Sequence, residues 1–253
     1  MEAALLELLD VAGQHRDVQT MVAKSLPYIL KYVDAERGSA FLMSGEHVVH
    51  RVLANRESFS EVGDYKVNTA LASGLAGWAR DHRQGALASN TRLDDRWVSL
   101  DDTTACSAIA VPLISRGAVV GILALHHSTP GFFKERHLAS AAEAARLMAP
   151  LLDSAMLIAS TMDGLVMLSK TWGQPSALLD SEGGVKAVNG SLAALDIVWE
   201  GANISQSVLI QELGCNSAKD CLWEGDRSLA TLPYNVRSVH FLGVGVWLQF
   251  SPK

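Results

Sequence analysis

The chain has 253 residues, with 21 Lys and Arg against 27 Asp and Glu, a formal net charge of −6. Neutralising phosphates takes a surplus of basic side chains, so this balance argues against a nucleic-acid binder. Apolar residues make up 49% and charged residues 19%, enough to bury a sizeable core and too little charge for a disordered chain.

The N-terminal thirty-odd residues read as helix. Leu5, Leu6, Leu8 and Leu9 are followed, after Gly13, by Val18, Val22, Leu26, Ile29 and Val33 at steps of three and four. Asp17 suits the N-cap of the second piece, Gly38 its stop, and Pro27 a bend or short break. Glu2, Glu7 and Asp10 among the leucines, with no basic flank, do not make a signal peptide. Ser39–Met43 and His47–Ala54 read as a β-hairpin closed by a Ser-Gly turn. An irregular middle follows, with GLAGWA at 74–79 and the polar loop NTRLDDRW at 90–97. SAIAVPL (107–113) and VVGILALHH (119–127) form a second hairpin through Ser115, Arg116 and Gly117.

From Lys134 to about Lys170 the pattern is helical, with Leu138, Ala141, Ala145, Met148, Leu152, Ala155, Ala159, Met162 and Val166 at heptad-like steps. A second stripe through Leu151, Ile158 and Leu165 makes the middle apolar on more than one side, which predicts burial against a partner chain. Interior proline costs ~3 kcal/mol, so Pro150 predicts a kink or restart. No stretch approaches the ~18 uninterrupted apolar residues of a spanning helix, which predicts no membrane insertion. Composition changes after Trp172-Gly173-Gln174-Pro175. Ala177–Leu179 and Val185–Val188 flank a Gly-rich turn, and strands are predicted over 228–232 and within 236–250. The fold class is α+β: two antiparallel-sheet units joined by a long helix, over 1–160 and 172–253 with a helical linker at 161–171.

The first unit resembles a GAF domain, a ligand-sensing module of bacterial signalling proteins. The resemblance rests on RGSAFLM (37–43), GLAGWA (74–79), ALASNTRLDDRW (86–97), and SAIAVPL followed by GAVVGILALHH and PGFF ahead of a helix. The second unit resembles a PAS domain through LLDSEGGVKAVNGSLAAL (178–195) and the closing strands at 236–250. These resemblances imply two sensory domains, each with an antiparallel sheet and a pocket on one sheet face, and dimerisation through flanking helices. Such folds host many ligands, so function has to be argued from the site.

The sequence points away from catalysis. Asp94, Asp95, Asp101 and Asp102 sit among Arg92, Arg96 and Ser99 in a solvated loop, where nothing separates their pKa values into acid and base. No nucleophile elbow, phosphate loop or zinc helix is present. His137 is followed by Leu138 where a phospho-accepting helix would carry an acid. His126 and His127 adjoin on a strand and diverge, as do His47 and His50, so neither pair chelates a metal. Three cysteines, Cys106, Cys215 and Cys221, are too few for a disulfide framework and suit a reducing cytoplasm. Relatives that hold bilins, flavin adducts or cyclic nucleotides carry residues that this chain lacks at the matching places, so no cofactor is named. Arg92 and Asp95 match the spacing of some cyclic-dinucleotide binders, a match expected about once by chance among these arginines.

A pocket is the remaining site. Trp78 and Trp97 flank the irregular middle, and a sheet facing it would present Phe41 with Met43 and Ile109 with Val111, with Asn90 or His50 supplying polar groups. Asn189, Trp199, Trp223 and Phe241 are placed similarly in the second unit. The expected function is a non-catalytic regulator, a homodimer through Leu138, Ala145, Met148, Leu152, Ala155, Ala159 and Met162, that senses a small ligand and acts on a partner protein. The alternative is a ligand-free adaptor whose cores are filled by their own side chains.

Overall fold

Asp17 caps the second helix as its place in the sequence predicts. In the computed structural model, which describes residues 2–15, 17–44, 47–55, 59–61, 73–98, 104–180, 185–188, 226–229, 234–241 and 244–253, its carboxylate accepts the Thr20 backbone N–H at 2.7 Å. The helix it opens, α2 (Val18–Val33), follows α1 (Glu2–Gln14) and ends on Asp34, a left-handed residue at φ 60° whose N–H returns to the Leu30 carbonyl. Gly38 is therefore not the stop. It lies in strand β1 (Arg37–Ser44), where an added Cβ would stand 2.8 Å from Leu30 Cδ2, so its missing side chain serves helix-on-sheet packing.

The chain divides into two compact units, Met1–Met156 and Leu157–Lys253. The first holds a six-stranded antiparallel sheet made of β1, β2 (His47–Asn55), β3 (Phe59–Glu61), β4 (Ala86–Ala88), β5 (Ser107–Ser115) and β6 (Ala118–His127), in the order β3-β2-β1-β6-β5-β4. Both predicted hairpins form. At the β5–β6 turn Arg116 and Gly117 have φ of 47° and 80°, the two positive values that a tight hairpin turn requires. The middle of the chain is more regular than its glycines suggest: Gly74 caps a short helix, α3 (Leu75–His82), and Gly77 is buried within it.

Strand register sorts the residues onto two faces. The row Ala40, Leu123 and Val111 looks toward the helices, and the row Arg51, Phe41, Ile122 and Pro112 looks the other way. The helix side packs α1, α2 and the first part of α4 (Glu135–Thr171) over Leu42, Val52, Ile109, Leu113 and Leu125. Each fully buried leucine there contributes roughly 1.5–3 kcal/mol of transfer free energy. Alanines at 141, 144, 145 and 149 let α4 lie close to the sheet. Pro27 and Pro150 lie inside continuous helices, because the apolar faces on either side bury more than one lost backbone hydrogen bond costs.

That packing corrects the expected interface. Ala145, Met148, Leu152 and Ala155 are buried in the core of their own unit and Leu138 packs partly against it, so this stretch of the stripe is covered within one chain. Ala159 is exposed, and Met162 packs in the second unit. By length and composition α4 is apolar enough to cross a membrane, with an 18-residue window of mean hydropathy 1.5 of which 17% is buried.

In the second unit β7 (Ser176–Asp180), β8 (Val185–Val188), β9 (Asp226–Ser228), β10 (Tyr234–Phe241) and β11 (Gly245–Pro252) form an antiparallel sheet in the order β8-β7-β11-β10-β9. The strand predicted over 228–232 ends at Ser228 among the described residues. Leu165 of α4 packs with Leu178, Ala187 and Trp247, and Met162, Val166 and Phe241 border them. Gly245 is required at its position, since a Cβ there would run into the Leu179 carbonyl oxygen.

Candidate functional site

The face of the first sheet that turns away from α1, α2 and α4 gathers four of the predicted pocket residues. Phe41 and Met43 lie on β1 beneath α3 and the 90–97 loop, and Trp78 of α3 and Trp97 at the loop's end pack against the same cluster. Ile109 and Val111 do not join them; they belong to the helix-side core, and Ala108 and Ala110 occupy the pocket face in their place. This corrects the predicted parity of β5. Both faces of that strand are covered, so its sequence shows no polar alternation by which to tell them apart.

Between the aromatic groups the floor and walls are small. Ala76, Ala79, Ala86, Ala88, Ala108, Ala110 and Ala124 make up most of the buried set, with Leu75 and Ile122. Onto this face β2 delivers Arg51, which is 5% exposed and lies opposite Phe41 in the register with its guanidinium 5.5 Å from the ring centroid. Among the described residues it is the one charged side chain in the buried set.

The 90–97 loop is tied down by its own polar groups. Thr91 is buried, its hydroxyl donates to the Ala105 carbonyl at 2.7 Å, and its N–H donates to the Cys106 carbonyl. Asn90 Oδ1 accepts the Arg92 N–H at 3.1 Å, so this predicted pocket group is engaged in turning the loop. Arg96 forks onto Asp94, Nε to Oδ1 at 2.9 Å and Nη2 to Oδ2 at 2.8 Å, and the same guanidinium lies 5.1 Å from the Trp78 ring centroid. The Arg96 hydrogen bonds hold the Asp94 carboxyl below its ordinary pKa. Trp78 stacks on His82 with centroids 4.1 Å apart and planes 12° apart, while Trp97 meets His126 edge-on at 5.2 Å. Trp78 thus has ring contacts with both Arg96 and His82, while Phe41, Met43 and Trp97 line the same face.

Arg51, Arg96, His82 and His126 are members of the site that pattern reading passes over. The pairing of β1 with β2 was a usable signal, because any register that places Arg51 opposite Phe41 puts both on one face. His50 pairs through its backbone with Leu42, and its side chain lies outside the described residues, as do Asn189, Trp199 and Trp223. Phe241 borders the core of the second unit. Arg92 and Asp95 are exposed. Among the described residues no three His, Cys, Asp or Glu side chains gather as a metal site.

A family model for the GAF domain matches residues 15–153, more than half of the chain. The chain belongs to the GAF domain family. The match covers both hairpins, α3, the 90–97 loop and the start of α4, and GAF domains are sensory or regulatory modules. No curated protein matches the chain. Among solved structures, a free methionine-R-sulfoxide reductase from Neisseria meningitidis, an enzyme, is 15% identical, with 61% of this chain and 89% of that chain covered at a TM-score of 0.49. The GAF domain of an Acinetobacter phosphoenolpyruvate-protein phosphotransferase is 14% identical over 61% of this chain and 93% of that chain, with a TM-score of 0.48. A putative GAF sensor protein from Burkholderia vietnamiensis is 16% identical over 58% and 90%, with a TM-score of 0.45.

Proposed function

We propose that this chain is a non-catalytic bacterial signalling regulator whose GAF domain receives a small acidic ligand on the Phe41 face. The observation that carries this reading is Arg51, a guanidinium buried over an aromatic ring on a face otherwise lined by alanine. A planar guanidinium recognises carboxylate or phosphate as a two-pronged fork, and on this reading the alanine-lined wall beside Phe41 and Trp97 takes the apolar part of the ligand. The second unit acts as a PAS-like module, a reading supported by its antiparallel sheet in which the opening hairpin pairs with the last strand.

Native mass spectrometry of freshly purified protein, followed by denaturation, tests the ligand. It should release a small acid, and a panel of short carboxylates and phosphates should raise Tm. At 100 times Kd a ligand stabilises by about 2.7 kcal/mol, and Arg51→Met should weaken binding at least tenfold. If nothing is released and no compound raises Tm, the ligand reading fails. The adaptor alternative is then favoured, and Phe41 and Met43, each 2% exposed, are simply core.

Self-association moves to the outer face of α4, where Leu157, Thr161, Gly164 and Leu168 recur at heptad steps and Leu157, Met167 and Leu168 are exposed by more than half. The signal passes to a partner protein through this helix. We place α4 in water in the cytoplasm: Leu152 and Ala155 are spent in the GAF core, and Asp153 is held by Arg116 at 2.7 Å. Analytical ultracentrifugation of Leu157→Glu with Leu168→Glu should show monomers; an unchanged dimer would remove this assignment.

A further inference from the structure

On the opposite side of the sheet, where α2 and α4 cross it, the GAF core holds a cavity of about 20 Å³. Ala40 and Leu42 of β1 and Leu123 of β6 form its floor, and Met148 and Leu152 of α4 close one side. Ser25 of α2 also lines it. That side chain is fully buried, and its Oγ has no hydrogen-bond partner among the described residues. A buried hydroxyl left unsatisfied costs about 1–3 kcal/mol, so its presence in an otherwise hydrocarbon lining needs a reason. Water does not supply one. A buried water makes two to four hydrogen bonds, this lining has one polar side chain, and apolar cavities of this kind stay dry and take apolar guests.

We propose that this cavity is a binding site for one small apolar molecule of two or three heavy atoms, with an acceptor atom at one end that accepts a hydrogen bond from the Ser25 hydroxyl. Its volume limits the guest, since cavities that admit benzene are about 150 Å³. Met148, unbranched and flexible, is the wall that adjusts to the guest. The guest touches α2, the sheet and α4 together, so binding favours the packed arrangement of those three elements by mass action. The site is separate from the Phe41 face and does not depend on the ligand proposed there.

Methyl NMR of the full chain under pressurised nitrous oxide and, separately, xenon tests the proposal. The two guests are alike in being small and apolar, but only nitrous oxide carries an acceptor atom. Both should shift the methyl signals of Met148, Leu152 and Leu42 saturably. Ser25→Ala should weaken nitrous oxide roughly two- to tenfold, the value of one lost hydrogen bond, and leave xenon within about twofold. Ala40→Val, with Ser25→Val as a second filling variant, should abolish both responses while methyl signals elsewhere keep their positions. No saturable shift with either gas in the wild-type protein overturns the site. Shifts that persist in both filling variants overturn its location, and equal affinity for nitrous oxide with and without the hydroxyl overturns the role of Ser25.

Discussion

Replacing Ala155 with Glu, beside the same change at Ala159, separates two accounts of the long helix. Ala155 is 6% exposed and belongs to the core that α1, α2 and the sheet share, whereas Ala159, one turn on, is exposed. A carboxylate forced into the first position loses its hydration at an effective cost of several kcal/mol, and the added side chain overpacks the site by about 1–3 kcal/mol. A loss of about 4 kcal/mol or more is therefore expected for Ala155→Glu, against ±0.5 kcal/mol for Ala159→Glu. With a urea slope of about 2 kcal/mol/M, the first variant should lower the unfolding midpoint by about 2 M and the second by at most about 0.25 M. The assay is urea unfolding followed by tryptophan fluorescence. Trp78 and Trp97 report the first unit, while Trp172 and Trp247 report the second, so the two transitions are fitted separately. If both variants unfold at the wild-type midpoint and differ only in oligomeric state, Ala155 faces a second copy and the packing described above is wrong.

Gly121→Ala should destabilise the first unit by about 1–3 kcal/mol, because the new Cβ would stand 2.8 Å from the Phe41 carbonyl oxygen and 2.9 Å from Leu113 Cδ1, and backbone cannot step aside; a wild-type Tm would refute this. Asp94→Asn removes a carboxyl whose folded-state pKa lies below its ordinary value, so its stabilisation is present above the ordinary 3.8 and lost as pH falls through the folded value; the variant should flatten that acid limb in pH-dependent thermal melts. His137 acts in the same direction at higher pH: burial, with Arg136 nearby, lowers its pKa from 6.5, and its Nδ1 accepts the Lys134 N–H at 3.0 Å. The unfolded chain then takes up a proton that the folded chain resists, so stability should decline as pH drops below about 6.5, and His137→Gln should lessen that decline when Tm is followed from pH 8 to 5.

Turn chemistry and motif order carried most of what the sequence reveals. Both hairpins of the first unit were legible because Ser-Gly and Arg-Gly stand between runs of β-formers, and the family was legible from short matches in the right order. Helix α3 was hidden by glycines that normally weaken a helix: Gly74 serves as its cap and Gly77 is buried inside it. The pocket face was half legible. Strand β1 is covered on both sides, as is β5, so the two-residue period that tells inside from outside in a one-sided sheet has no polar partner to mark it. Size is the remaining cue. On β5 the bulky Ile109, Val111 and Leu113 meet the helices while Ala108 and Ala110 line the candidate site, so the smaller alternate set marks the candidate-site face.

The stripe on α4 fails as an interface for a related reason. Steps of three and four report only that one side of a helix is apolar; they do not say what covers it. Here a single run of such steps serves two cores in succession. Through Ala155 it packs in the first unit, and from Met162 it packs with Leu178 and Trp247 in the second, with the exposed Ala159 between them. Of this stripe Ala159 alone is exposed among the described residues, so the self-association proposed above draws on apolar residues outside it. Leu157, Thr161, Gly164 and Leu168 keep heptad spacing on another side of the helix and are all exposed. A dimer that survives both Leu157→Glu and Leu168→Glu would mean that this second stripe does not hold the two copies together.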